Sequence, residues 1–199
     1  MSRIHRIVTA ALLAACMGLA PAFAQPALAV KPLAERRVAE LPVGDLFWRI
    51  ETVDTRAHAD ALAGGPWSLV VEAEGKAWLF TLGAAGGATP GTARVAEVGP
   101  IARVQAAQYL LRINDASGPP GSVTPVHSHP GSEAFFVLSG EQSIRGEHGT
   151  QHVKAGQVEA GHGADMAMQV SSSGAGDLHA LVMFVVDANK PFSVPASLP

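Results

Sequence analysis

From residue 45 onward the apolar positions fall in short runs rich in β-branched and aromatic residues, with Gly, Pro or Asp in nearly every gap. In the first half this pattern predicts strands at 46–52, 67–73, 77–82 and 93–98. Residues 54–62, with Thr55, His58 and several alanines, read as one or two helical turns. The glycine-rich stretch 83–91 reads as a loop; it lacks the Lys-Ser or Lys-Thr ending of a phosphate-binding loop. The second half is denser, with strands predicted at 104–114, 123–127, 133–138, 142–145, 158–160, 166–171 and 178–187. Many short strands with regular turn signals predict an all-β sandwich or antiparallel barrel.

The first 24 residues have a different character. Arg3 and Arg6 precede an uncharged, mostly apolar run, and Ala22-Phe23-Ala24 places small residues where a signal peptidase cuts. Ala27-Leu28-Ala29 is a second such site, and Leu13-Ala14-Ala15-Cys16 resembles a lipoprotein box, a rival in which Cys16 carries a lipid anchor. The run is short and Pro21 interrupts it, so a membrane span is not expected. Residues 1–24 are thus expected to be an export signal, 25–40 an N-terminal tail, 41–190 the folded unit with a motif-bearing core at 104–187, and 191–199 a C-terminal tail. Export places the mature chain in the periplasm or outside the cell.

Charge and cysteine usage narrow the function classes. The formal net charge is −3 and only 16% of residues are charged, which gives no basic field for a nucleic-acid backbone. Cleavage after Ala24 removes two arginines and no acid, and it also removes Cys16, the only cysteine. A mature chain without thiols has neither a disulfide nor a Cys-based zinc cluster, and rests on core burial.

Six of the eight histidines lie between 127 and 179. His127 and His129 share a strand face by alternation, a Pro130-Gly131-Ser132 turn follows, and Glu133 opens the next strand. Two imidazoles and a carboxylate form a metal-binding triad with open coordination positions. Continued alternation puts Phe135 and Val137 on the same inward face, an apolar setting suited to a small organic ligand.

The wider spacing runs Gly121, five residues, His127, one, His129, three, Glu133, six, Gly140. This resembles the full first motif of the cupin superfamily, as do the connecting residues through Gly140. The resemblance implies a small antiparallel β-barrel of jelly-roll type, with His127, His129 and Glu133 as ligands to one divalent metal (Fe, Mn, Zn, Ni or Cu). Gly121 and Gly140 would be turn positions. Fold alone does not choose among the reactions the family performs.

The second motif departs from the family. Where the last histidine ligand is expected stands Met166, which alternation groups with Met168 and Val170. Met166 has three open roles: pocket wall, bystander to a three-ligand metal completed by water, or thioether ligand, which would favour copper. His162 in the preceding loop either substitutes as a ligand or lies exposed. His179, whose face carries Leu181 and Met183, is either a satisfied structural residue or points into the barrel. Tyr109 and Arg112 have opposite parity, so at most one faces the pocket. His148, His152 and His58 are expected at the surface.

The function expected is an exported cupin-like protein with a divalent metal and a small organic ligand, its enzymatic version a metal-dependent oxidoreductase such as a dioxygenase. The alternative is a non-catalytic binding or sensing module. A homodimer is expected, since open sheet edges need covering.

Overall fold

A computed structural model describes residues 25–199; residues 1–24, expected to be an export signal, and Cys16 among them lie outside the described residues. The elements in chain order are β1 (Ala29–Val38), β2 (Leu46–Val53), α1 (Arg56–Leu62), β3 (Ser68–Ala73), β4 (Lys76–Gly83), β5 (Ala93–Ile101) and β6 (Tyr109–Gly118). They continue with β7 (His127–Ser128), β8 (Gly131–Ser139), β9 (Glu141–Gly146), β10 (Gly149–Lys154), β11 (Val158–Glu159), β12 (Met168–Ser172), β13 (Leu178–Asp187) and β14 (Val194–Pro195). The fold is all-β, in three sheets with strand orders β1-β6-β13-β8-β11, β10-β9-β12-β7-β14 and β3-β4-β2-β5. All strand pairs are antiparallel.

The first of these sheets lies in the middle, and alternation along its strands makes it apolar on both faces. Leu110, Ala116, Phe135, Val137, Val182 and Phe184 face the β10-β9-β12-β7-β14 sheet, where Ile144, Met168 and Val170 close a core. These two sheets form the barrel. The opposite face presents Leu111, Ile113, Phe136, Leu181, Met183 and Val185 to the β3-β4-β2-β5 sheet, which meets them with Trp48, Ile50, Trp78 and Phe80. Trp78 and Phe136 pack edge to face across this junction, with ring centroids 5.5 Å apart. A small third cluster, including Val53, Ala59 and Leu79, seats α1 on the outer face. Residues 46–101, expected within the barrel, therefore form a separate third layer.

Two segments expected as tails are structured. Residues 25–40 contain β1, which pairs with β6 from Ala29↔Ser117 to Val38↔Tyr109. The strand is almost wholly exposed, and Glu35, Arg36 and Arg37 give its edge the charges that discourage further pairing. Within 191–199, β14 pairs with β7 and Phe192 packs against the barrel core.

The glycine-rich loop 84–92 is held by Glu51, which is 1% exposed. Its carboxylate accepts from Thr89 N at 2.9 Å, Thr89 Oγ1 at 2.8 Å and Thr92 Oγ1 at 3.0 Å, with Arg49 Nε 3.0 Å away. Burial alone would raise this carboxyl, but the bonds from Thr89, Arg49 and Thr92 hold it below its ordinary value. Its stabilisation is therefore complete above the ordinary carboxylate range and lost as pH falls through the depressed pKa. Glu51→Gln is expected to cost about 1.5 kcal/mol at pH 7, with the difference closing in acid; urea unfolding at both pH values checks it.

Candidate metal centre

The three motif residues meet where β7 turns into β8. His129 and Glu133 are 5% and 2% exposed. His129 Nε2 lies 3.9 Å from Glu133 Oε2, and the His127 and His129 rings pack edge to face with centroids 4.9 Å apart. Each imidazole is oriented by a backbone carbonyl: His127 Nδ1 lies 2.8 Å from Pro125 O, and His129 Nδ1 2.7 Å from Phe192 O. A carbonyl only accepts, so Nδ1 carries the proton and Nε2 keeps its lone pair, as a metal ligand requires.

Electrostatics agree with that assignment. Burial holds the His129 pKa down at about 4, against the Phe192 hydrogen bond that would raise it. Burial pushes the Glu133 carboxyl up to about 8. Its Oε1 has no hydrogen-bond partner, an expensive arrangement unless a cation sits beside it.

Among the described residues no three His, Cys, Asp or Glu side chains stand at the spacing of a closed metal site. Ligands to one ion at about 2.0–2.2 Å lie roughly 3.0–3.4 Å apart. His129 and Glu133 would have to approach by about half an ångström to one ångström, within side-chain adjustment. The donor set therefore fits a divalent ion: two imidazoles, each with Nδ1 on a backbone carbonyl, and a carboxyl with an unpartnered oxygen.

His162 is neither exposed nor remote. Its Nδ1 is buried without a partner and lies 3.9 Å from Glu133 Oε1. Two glycines make its position possible. A Cβ on Gly146 would come within 2.8 Å of the His162 ring, and one on Gly161, where φ is +64°, within 2.5 Å of Glu133 O. Neither glycine's part was readable from its local sequence.

The cavity beside the triad measures about 540 Å³, a size suited to a small organic ligand. Phe135, Val170, Val182 and Phe184 line it, as do His127, His129, Glu133 and Arg112. Phe192 to Pro195 cover one side; the only local signal of this in the sequence is the apolarity of Phe192 in an otherwise small-residue, Pro-rich terminus. Val137 and Met168 belong to the same core but stop short of the cavity wall.

Three sequence candidates lie elsewhere. Tyr109 faces the outer sheet, so parity gives the cavity to Arg112. Met166 is half-buried and does not line the cavity, because β12 begins only at Met168. His179 does share a face with Leu181 and Met183, but that face meets the third sheet. There it bridges Glu74 Oε1 at 2.5 Å and Asp115 Oδ2 at 2.6 Å, a structural clasp between layers. His58 and His148 are exposed; His152, also exposed, pairs with Ser143 and Glu141.

Residues 117–159 match the family model described as "Cupin domain". No curated protein matches the chain. Solved structures similar to parts of it include a cupin-like protein from Thermotoga maritima, at 17% identity and TM-score 0.39 over 44% of this chain and 65% of that one. Another is a double-stranded β-helix domain protein from Klebsiella pneumoniae, at 24% identity and TM-score 0.38 over 44% of this chain and 75% of that one. A DMSP lyase from Ruegeria pomeroyi has 24% identity and TM-score 0.38 over 43% of each chain. Among the described residues no helix is long and apolar enough to cross a membrane. Gly121 and Gly140 are both at positive φ, as turn positions demand, and the segment that matches the cupin-domain model is built into a two-sheet antiparallel barrel.

Proposed function

We propose that the protein binds one divalent transition metal through His127, His129 and Glu133, and a small organic ligand in the adjoining cavity. The observation that carries this reading is Glu133: a fully buried carboxyl with an orphan oxygen, flanked by imidazoles whose Nε2 lone pairs are free. His162 Nδ1 is the nearest additional donor. Such an ion supplies Lewis-acid polarisation or oxygen activation when bound, and dioxygenase-type oxidation is the enzymatic version. The chain's own part is to fix both imidazole tautomers, to keep bulk water off the ligand with Phe135, Phe184 and Phe192, and to orient the ligand with Arg112.

A second reading, a non-catalytic binding or sensing module, draws on Met166, which replaces the family's remaining histidine and stays outside the cavity. Oxygen consumption by metal-loaded protein supports the enzyme; a ligand-induced rise in melting temperature without turnover supports the module. Export with cleavage after Ala24, and assembly as a homodimer, are proposed alongside.

Metal analysis by mass spectrometry tests the centre. Purified protein is expected to hold about one equivalent of a transition metal, lost in a His127→Ala, His129→Ala double variant. No metal in either, even after refolding with Fe, Mn, Zn, Ni or Cu, overturns the reading.

A further inference from the structure

Two strands from Glu133 in the same sheet, on the row that runs Arg112, Phe184, Glu133, lies a second polar feature of the cavity, built on β6. Arg112 lines the cavity and is 17% exposed. Its Nη2 lies 2.6 Å from Glu35 Oε1, and its guanidinium carbon lies 3.8 Å from the Phe192 ring centroid. Its Nε is buried with no partner. Two residues on, the same strand face carries Asn114, which is 2% exposed with an unpartnered Oδ1. Glu133 is the only acid among the residues lining the cavity. The remaining wall is largely apolar.

We propose that the cavity takes a small carboxylate with an apolar body, its carboxylate engaging Arg112 in place of Glu35. A guanidinium carries five donors in a planar fork matched to a carboxylate. Here one face is stacked on Phe192, which fixes the plane of the fork. Glu35 is 41% exposed, so its pair with Arg112 is screened by solvent and readily exchanged for a ligand held inside. Asn114 supplies the second polar contact through its amide Nδ2, the donor that a carboxylate requires, and the valine and phenylalanine wall receives the ligand body. A neutral ligand would leave the guanidinium charge unbalanced once Glu35 is displaced, and a cation would meet Arg112 as a like charge. The inference rests on the reading of this cavity as the ligand site, and it does not require the metal.

Calorimetric titration of the full chain, dialysed against a chelator, tests it with acetate, butyrate and phenylacetate beside their amides. The carboxylates are expected to bind, strengthening with the apolar body, and phenylacetate should bind about tenfold or more tighter than phenylacetamide. Arg112→Met should lose that preference. Glu35→Gln, a change on the exposed partner, should tighten phenylacetate severalfold, because no carboxylate has to be displaced; a purely structural Arg112 predicts no such gain. Equal binding of acids and amides, no binding by Glu35→Gln, or no tightening in that variant overturns the proposal. A parallel zinc titration, expected to be unchanged in Glu35→Gln, reads the metal centre independently.

Discussion

Between pH 6.5 and 8.5 the metal-free protein is expected to lose about 2 kcal/mol of folding stability through Glu133 alone. Burial lifts this carboxyl from 4.5 to about 8 in the folded state. Over that interval the folded chain holds a proton that the unfolded chain releases, so stability falls as pH rises and levels off above the folded value. His129 works in the opposite sense. Its pKa is depressed to about 4, so stability grows as pH rises and levels off about one unit above 6.5. His162, also depressed, behaves likewise. Between pH 6.5 and 8.5 the two histidines therefore add only a small residual gain, which wild type and a Glu133→Gln variant share. His179 adds to the fall in that window, because Glu74 and Asp115 raise its pKa despite its burial. The difference between wild type and Glu133→Gln removes that shared contribution. Urea unfolding in chelator at pH 6.5 and 8.5 should show the wild-type drop exceeding the variant's by about 2 kcal/mol. Equal drops would mean that Glu133 holds no extra proton in the folded state. Added zinc should stabilise the wild type more at pH 8.5 than at 6.5, since the ligand must be ionised.

The second large effect is expected at Trp48. This residue is wholly buried in β2, between cross-strand neighbours Leu82 and Val98, and it helps join the outer sheet to the middle one. Trp48→Ala should cost about 3–5 kcal/mol, by lost burial and by the cavity left behind. Its Nε1 makes no hydrogen bond, so Trp48→Phe removes no polar contact and should cost less than about 1.5 kcal/mol. Urea midpoints at constant slope measure both. A phenylalanine variant as unstable as the alanine variant would show that the indole's full outline, rather than buried apolar surface, is what the layer junction requires.

The parts of the fold set by local alternation were readable in the sequence. Strands expected at 46–52 and 77–82 appear as β2 and β4 with ends shifted by about one residue, and 178–187 coincides with β13. The short helix lies within the expected 54–62, and Thr55 caps it. Segments whose structure depends on distant partners were not readable. β1 has Pro32 and three consecutive charges and buries almost nothing on either face, so its pairing with β6, far along the chain, left no periodic trace. Pro125 precedes a strand of only two residues, His127–Ser128, where 123–127 was expected. For the site, spacing alone identified His127, His129 and Glu133 as neighbours. Parity reduced Tyr109 and Arg112 to one choice but could not say which, because both faces of β6 are covered. The same third layer decided His179: its face was correctly grouped with Leu181 and Met183, yet the space that face enters belongs to Glu74 and the outer sheet. Phe192 orients His129 across 63 positions of sequence, beyond the reach of any local pattern.

The doubly covered middle sheet also governs how the gene can be divided. The recognisable segment, 117–159, holds β7 to β11 with only the end of β6, and it lacks the β13 strand that lies between β6 and β8. Expressed alone, it would carry the motif without the sheet that positions it. A boundary drawn at β6 would keep the barrel but bare Leu111, Ile113, Phe136, Leu181, Met183 and Val185 to water, a contiguous apolar surface of the kind that aggregates. The smallest portion able to be inherited or transplanted as a working unit therefore runs from β1 through β14, several times longer than the segment that matches the family model.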